Sequence, residues 1–276
     1  MTSVLGVGSL SKMTSNLAQP IAYALPLGEE SVPLNGFLGQ PVQLRYLGQI
    51  FCTHCGRKTN KSFNQGYCYP CFKSLAQCDL CIMSPEKCHY HQGTCREPGW
   101  GETFCMTEHI VYLANSSAPK VGITRASQVP TRWIDQGAVA ALPIMAVGTR
   151  QQSGFVEDCL RQHIADKTNW RNMLKGVTEE VDLVALAEEL LDKTGAEITQ
   201  LQQRFGIQAI QRLASAQVQE LVYPVLEYPT KVKTHNFDKT PLVEGTLLGI
   251  KGQYWILDTG VINIRKFTAY QVELSA

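Results

Sequence analysis

The 276-residue chain contains no run of about 18 apolar residues, so no segment reads as a membrane-spanning helix. Met1 to Pro20 lacks the basic start and apolar core of a signal peptide, and a cytoplasmic protein is expected. A strong charge of either sign is also missing. Lys and Arg total 25 against 24 Asp and Glu, a net charge of +1 that excludes a strongly cationic protein. No internal repeat or low-complexity tract stands out. One absence is local: Pro41 to Gln77 contains no Asp or Glu, while Arg45, Arg57, Lys58, Lys61 and Lys73 fall inside it.

What is present describes a soluble globular chain, 44% hydrophobic and 18% charged, with length for two or three small domains. Eight of its ten cysteines lie between Cys52 and Cys95. That crowding favours metal binding in a reducing compartment over a secreted disulfide framework. Cys52, Cys55, Cys68 and Cys71 form two Cys-x2-Cys pairs, the spacing at which four thiolates close a tetrahedron around one Zn²⁺. Gly56 follows the first pair and Gly66 precedes the second, where tight turns are needed. A second group follows, with Cys78, Cys81, Cys88 and Cys95 as the expected ligands and His91 as the first substitute. Both groups read as closed structural sites, because a full sulfur set leaves no place for water. Cys105 and Cys159 are left over, and Cys159 reads as a small core residue.

Along the chain, Val42 to Leu47 alternates apolar and polar residues, a half-buried strand. His109 to Leu113 and Lys120 to Thr124 are two more strand-like runs. A short helix is expected from about Ser127, with Pro130 in its first turn and Gly137 at its end. A second is expected from Ser153 to about Ala165. Leu183, Leu186, Ala187, Leu190 and Leu191 have helical spacing, and Leu201, Phe205, Ile210 and Leu213 suggest another amphipathic stretch. From Leu242 onwards the pattern returns to strands, and the terminal β segments are expected to pack together as one small barrel. Asp258-Thr259-Gly260 matches the aspartic-protease tripeptide, but the single copy sits between strand-like runs and reads as a turn.

Ile110-Val111-Tyr112, then Lys120-Val121-Gly122, Arg132, Glu157 and Asn169 follow one another in an order that resembles the GIY-YIG nuclease core. Two departures stand out: the first Gly is replaced, and Lys120 stands where the usual Tyr would be. The resemblance implies cleavage of DNA or RNA phosphodiesters. In it, Glu157 would hold Mg²⁺ or Mn²⁺ by a carboxylate oxygen, and Arg132 would fork onto phosphate oxygens. Tyr112 would position or activate water, and Lys120 would serve as a base or a phosphate contact. The bland alternative makes Tyr112 a core ring and Glu157 with Arg161 an i, i+4 surface pair.

The acid-free stretch carries Phe63, Tyr67, Tyr69 and Phe72 among its cations, so Arg57, Lys58 and Lys61 are expected to bind nucleic acid. Over nearly its whole length the chain also resembles an uncharacterised bacterial zinc-bearing family. The carriers include Phe51 to Thr59, Cys95-Arg96-Glu97-Pro98, Thr131 to Ala138 and Gly249 to Tyr254.

The expected architecture is therefore α+β. A β segment spans 1–50, a zinc-ribbon-like segment with two sites 51–106, and a GIY-YIG-like module 107–176. A helical segment at 177–220 and a β segment at 221–276 follow. A metal-dependent nuclease is the leading functional expectation. A non-catalytic zinc-dependent nucleic-acid-binding protein and a protein-interaction scaffold are the alternatives.

Overall fold

In the computed structural model, which describes residues 3–165 and 167–276, the chain begins with four short strands. They are β1 (Val4–Ser9), β2 (Thr14–Asn16), β3 (Ala22–Leu27) and β4 (Glu30–Pro33). The long β5 (Pro41–Phe51) and short β6 (Lys58–Thr59) lead into a segment of irregular turns holding α1 (Tyr69–Ser74) and α2 (Pro98–Phe104). Then come β7 (His109–Asn115), β8 (Pro119–Arg125), α3 (Thr131–Asp135), β9 (Ala140–Val147), α4 (Arg150–Leu160) and α5 (Trp170–Leu174). Helices α6 (Leu183–Lys193) and α7 (Gly195–Phe205) precede β10 (Ile210–Arg212) and β11 (Gln219–Glu220). The chain closes with β12 (Leu242–Lys251), β13 (Tyr254–Leu257), β14 (Gly260–Asn263) and β15 (Tyr270–Ser275).

The two ends of the chain share one sheet. Its order is β1-β15-β5-β12-β13-β14, with β6 paired to β5, and the pairings are antiparallel. The path has β1 and β14 as its edges, so among the described residues the terminal segments form an open sheet where a barrel was expected. Alternation drives the packing. Val42 and Leu44 are buried beside exposed Arg45, as a half-buried strand requires. A second sheet runs β10-β9-β7-β8, with β11 on β9, and β2-β3-β4 form a third. Central β7 is buried along its whole length, so its apolar residues serve two cores. Tyr112 and Ala114 face the core that contains Trp133 and the terminal sheet. Val111 and Leu113 face α4, α6 and α7.

Helix starts follow local chemistry more than periodicity. Helix α4 begins at Arg150, three residues before the expected Ser153, because Thr149 and Gln152 form a capping box. Pro130 is the residue before α3, not a member of its first turn. The stripe from Leu201 to Leu213 is broken after Phe205, and Ile210 enters a strand against Val147. Asp258-Thr259-Gly260 is the β13–β14 turn. There Asp258 Oδ1 accepts from the Thr246 N–H at 2.9 Å and the Thr259 hydroxyl donates to the Glu244 carbonyl at 2.7 Å, so the tripeptide is structural. No helix among the described residues is long and apolar enough to cross a membrane.

Candidate functional site

The first cysteine pair lies where β5 turns back into β6. The Cys52 N–H donates to the Arg57 carbonyl at 3.0 Å and the Gly56 N–H to the Cys52 carbonyl at 2.9 Å, which closes the knuckle. Cys68 precedes α1, and Cys71 sits in that helix's first turn. A hydrogen bond from the Thr53 N–H to the Gly66 carbonyl, 2.9 Å long, ties one knuckle to the other. The sulfurs of Cys52, Cys55, Cys68 and Cys71 all lie within 4.8 Å of one another, and Cys55 and Cys68 are 3.7 Å apart. A tetrahedral centre with Zn–S bonds of about 2.3 Å needs neighbouring sulfurs at roughly 3.8 Å. The four cysteines are therefore positioned to bind a metal ion, in a set compatible with structural zinc. Burial works to raise the Cys52 thiol, but hydrogen bonds from the backbones of Cys55, Cys68 and His54 outweigh it and bring it down to about 6. Burial and the hydrogen bonds of Cys68, Cys55 and Cys52 push Cys71 the other way, so without an ion the four sulfurs share their protons unequally.

The aromatic residues nearby serve this knuckle. Phe63 packs on Tyr69 and Phe72 at centroid distances of 5.4 and 5.7 Å, and Tyr67 and Phe72 lie against the buried cysteines. Arg57 hydrogen-bonds the Cys55 sulfur, which raises the guanidinium's pKa. Lys58 pairs with Phe51 in the β5–β6 ladder, and Lys61 lies 5.2 Å over the Phe63 ring.

A cleft of about 880 Å³ runs along the edge strand β8, with α3 on one flank and α4 on the other. Lys12, Arg125, Arg132, Arg150, Arg161 and Arg265 line it, against the two carboxylates of Asp135 and Glu157. Asp135 is already engaged. Its Oδ2 meets Lys12 Nζ at 2.8 Å and its Oδ1 accepts from Gln253 Nε2 at 2.8 Å, which ties α3 to the terminal sheet. The cleft wall is cationic overall.

Tyr112 lies directly behind this wall. It is fully buried, and its ring packs edge-on against Trp133 at 5.8 Å. Its hydroxyl donates to Gln136 Oε1 at 3.0 Å and takes a hydrogen bond from Arg132. Burial pushes the phenol up to about 12; the Arg132 charge opposes that shift and the Glu157 charge adds to it. Tyr112, Arg132 and Glu157 thus meet in one place, although a strand and two helices supply them. Arg161 pairs with Asp158 on the same helix. Lys120 is not among the residues lining the cleft. It is buried, and its Nζ donates to Thr168 Oγ1 at 2.6 Å, while the neighbouring Val121 N–H donates to the Ala165 carbonyl at 2.9 Å. Asn169 caps α5 by accepting from the Asn172 N–H at 3.2 Å.

Sequence reasoning missed Arg125, Arg150 and Arg265. Arg125 stacks over Phe104 at 4.6 Å. Arg265 comes from the turn after β14, where nothing in the local pattern links it to Arg132. Of the expected nucleic-acid contacts, Lys61 lines a neighbouring groove of about 810 Å³ that shares Asn64, Gln65, Asp135 and Arg265 with the cleft. Arg57 and Lys58 line neither.

The second cysteine group is divided. Cys78 packs with Cys52, Cys68 and Cys71 and receives Asn64 Nδ2 at 3.5 Å, on the side of the first knuckle. Cys81, Cys88 and Cys95 instead surround a small void of about 20 Å³. His91 is not among the residues lining that void. No curated protein and no solved structure matches the chain. The model of a family described as a protein of unknown function (DUF2797) matches residues 39–272, most of the sequence, and the chain belongs to that family.

Proposed function

We propose that the chain is a metal-dependent nuclease-like protein whose cleft receives DNA or RNA phosphodiesters, with zinc at Cys52, Cys55, Cys68 and Cys71 as a structural ion. The observation that carries this reading is that Arg132 and Glu157 line one cationic cleft while Tyr112, directly behind them, is hydrogen-bonded by Arg132. The order of elements supports the GIY-YIG resemblance. An antiparallel β7–β8 hairpin is followed by a helix bearing Arg132, a strand returning on β7, a helix bearing Glu157 and the cap Asn169.

Phosphodiester hydrolysis needs cations on the phosphate oxygens and an activated water. Arg132 offers a two-pronged donor to the phosphate, and Arg125 and Arg265 extend the same wall. The Glu157 carboxylate is the oxygen donor that Mg²⁺ or Mn²⁺ prefers, and such an ion would offset charge on the phosphate and acidify a bound water. Tyr112 keeps its proton at neutral pH, because burial holds the phenol near 12. It therefore positions Arg132 and Gln136 and does not itself remove a proton from water. Lys120 anchors Thr168.

A second reading is favoured by that same burial of Tyr112 and by the engagement of Lys120 outside the cleft: the cleft binds a polynucleotide without cutting it. A cleavage assay on single- and double-stranded DNA and RNA with Mg²⁺ or Mn²⁺, comparing wild type with Glu157→Ala, separates the two. Cleavage lost in the variant supports the nuclease. Binding by both proteins without cleavage by either selects the second reading. Absence of affinity at moderate salt removes both readings and leaves a scaffold.

A further inference from the structure

Cys81, Cys88, Cys95 and Cys105 line one void of about 20 Å³, a space the size of a single ion or water. Four separate pieces of chain bring them there. Cys81 lies in the turn Leu80–Ile82, Cys88 ends the turn Pro85–Lys87, Cys95 precedes α2, and Cys105 follows it. Cys81 and Cys88 hydrogen-bond each other through their sulfurs. The Cys95 sulfur lies against Gly101, where an added Cβ would stand 3.4 Å away, and the Cys105 N–H returns to the Gly101 carbonyl at 2.7 Å. Ala76, Ile82, Tyr90, Trp100 and Gly101 close most of the rest of the wall, with Asp79 and His89 as its other polar members.

A half-buried cation stands beside it. Arg150, the first residue of α4, donates Nη2 to the Ile82 carbonyl at 2.7 Å and its backbone N–H to the Cys105 carbonyl at 2.8 Å. Its Nε is buried without a hydrogen-bond partner. A guanidinium whose Nε is shut off from water in this way is favoured by an anion facing it. Four thiolates around a divalent ion carry a net charge of about −2, which would satisfy the guanidinium.

We infer that Cys81, Cys88, Cys95 and Cys105 form a second, four-sulfur zinc site that fastens the cysteine-rich segment to α4. Cys105 thereby takes the place that spacing alone gave to Cys78. Among the described residues of this loop, Asp79, Cys81 and His89 are the group whose ligand atoms lie within 4.8 Å of one another. The four sulfurs around the void stand wider apart, so a bound ion would draw them together, whereas two of the closer three are committed elsewhere. Asp79 Oδ2 holds Arg96 Nε at 2.8 Å, Asp79 Oδ1 accepts from the Leu80 N–H at 2.6 Å, and His89 Nδ1 meets Thr94 Oγ1 at 2.8 Å. These contacts brace the loop that carries Cys81, Cys88 and Cys95. The same loop docks on α4, where Gln151 Nε2 donates to the Cys88 carbonyl at 2.8 Å. A Cβ on Gly154 would stand 2.7 Å from the Glu86 nitrogen, so only glycine permits that approach. Glu157 is three residues further along the same helix. The site holds regardless of what the cleft does.

The test uses the full wild-type chain loaded with ¹¹³Cd²⁺ in place of zinc, read by correlation from cadmium to cysteine β-protons. Two cadmium signals are expected. One correlates with Cys52, Cys55, Cys68 and Cys71, and the other with Cys81, Cys88, Cys95 and Cys105. A single signal overturns the inference, as does a second signal that reaches Cys78 or His89 in place of Cys105. Metal analysis of purified zinc protein gives an independent reading. Cys105→Ser is expected to lower the content from about two ions per chain to about one, while Cys78→Ser leaves about two. The reverse pattern overturns the assignment.

Discussion

Gly122 lies directly beneath the Tyr112 ring. The two residues are register partners across the β7–β8 ladder, and a Cβ at Gly122 would stand 2.8 Å from both Cζ and the hydroxyl oxygen of Tyr112. No such contact is tolerable, so even one methyl must displace the phenol from Arg132 and Gln136. Gly122→Ala is expected to destabilise the protein by about 1–3 kcal/mol, the usual range for overpacking a filled core. Urea unfolding measures it. A change below about 0.5 kcal/mol would mean that the ring has room to move.

What could be read in the sequence was whatever depends on neighbours along the chain. The first metal site is legible because each Cys-x2-Cys pair makes its own turn, and only the meeting of two turns is long-range. Cys78 misleads for the same reason. Cys78-x2-Cys81 looks like a third knuckle, but the turn Ala76–Cys78 sends the Cys78 sulfur back to Asn64 while Cys81 faces Cys88. Tyr112 and Glu157 could be proposed from their order, yet β7 is buried on both faces, so alternation says nothing about which way Tyr112 points. Arg265 was out of reach, because only the pairing of the chain ends into one sheet brings it beside Arg132.

The cysteine-rich segment has little core apart from its sulfurs. Besides the first knuckle's cysteines, its buried cluster holds Leu75 and Cys78. Metal binding must then supply the folding free energy that apolar burial supplies elsewhere. Chelation is expected to strip amide-exchange protection from about 52–105 first, while β5, β12 and β15 keep theirs. Hydrogen exchange with and without chelator checks it. Uniform loss across both regions would show that the segment and the terminal sheet unfold as one unit.

Lys251 gives the alkaline limb of stability a definite sign. It is 1% exposed at the end of β12, with its Nζ over the Tyr223 and Tyr228 rings at 5.4 and 5.3 Å. Burial lowers its pKa to about 8, and the same burial raises both tyrosines, which stay neutral through this window. The unfolded chain holds the Lys251 proton up to about 10.4 and the folded chain releases it near 8, so this group favours folding more as pH rises between them. Below about pH 8 the full penalty applies, roughly 3 kcal/mol before the ring contacts offset part of it. Lys251→Met is expected to be more stable than wild type at pH 7, with the advantage shrinking towards pH 10. Thermal unfolding of both proteins across that range measures it, and a constant difference would place the ammonium in a solvated setting.

Arg265 tests the cleft from the side that sequence reasoning missed. It lines the β8 cleft and the groove beside it, so a polynucleotide crossing from one to the other passes it. Burial lowers its pKa and the Arg132 charge adds to that while the Asp135 charge opposes it, and because a guanidinium remains charged at neutral pH, Arg132 and Arg265 together suit a bridging phosphate. Each phosphate contact contributes about one unit to the slope of log affinity against log salt. Arg265→Ala should therefore weaken binding several-fold at moderate salt and make that slope shallower by about one. Lys58→Ala, in the β5–β6 ladder and outside both cavities, should change neither. Fluorescence titration of a labelled oligonucleotide over a salt series distinguishes the two. If Lys58→Ala costs affinity and Arg265→Ala does not, the nucleic acid lies on the acid-free knuckle, and the β8 cleft is not where it binds.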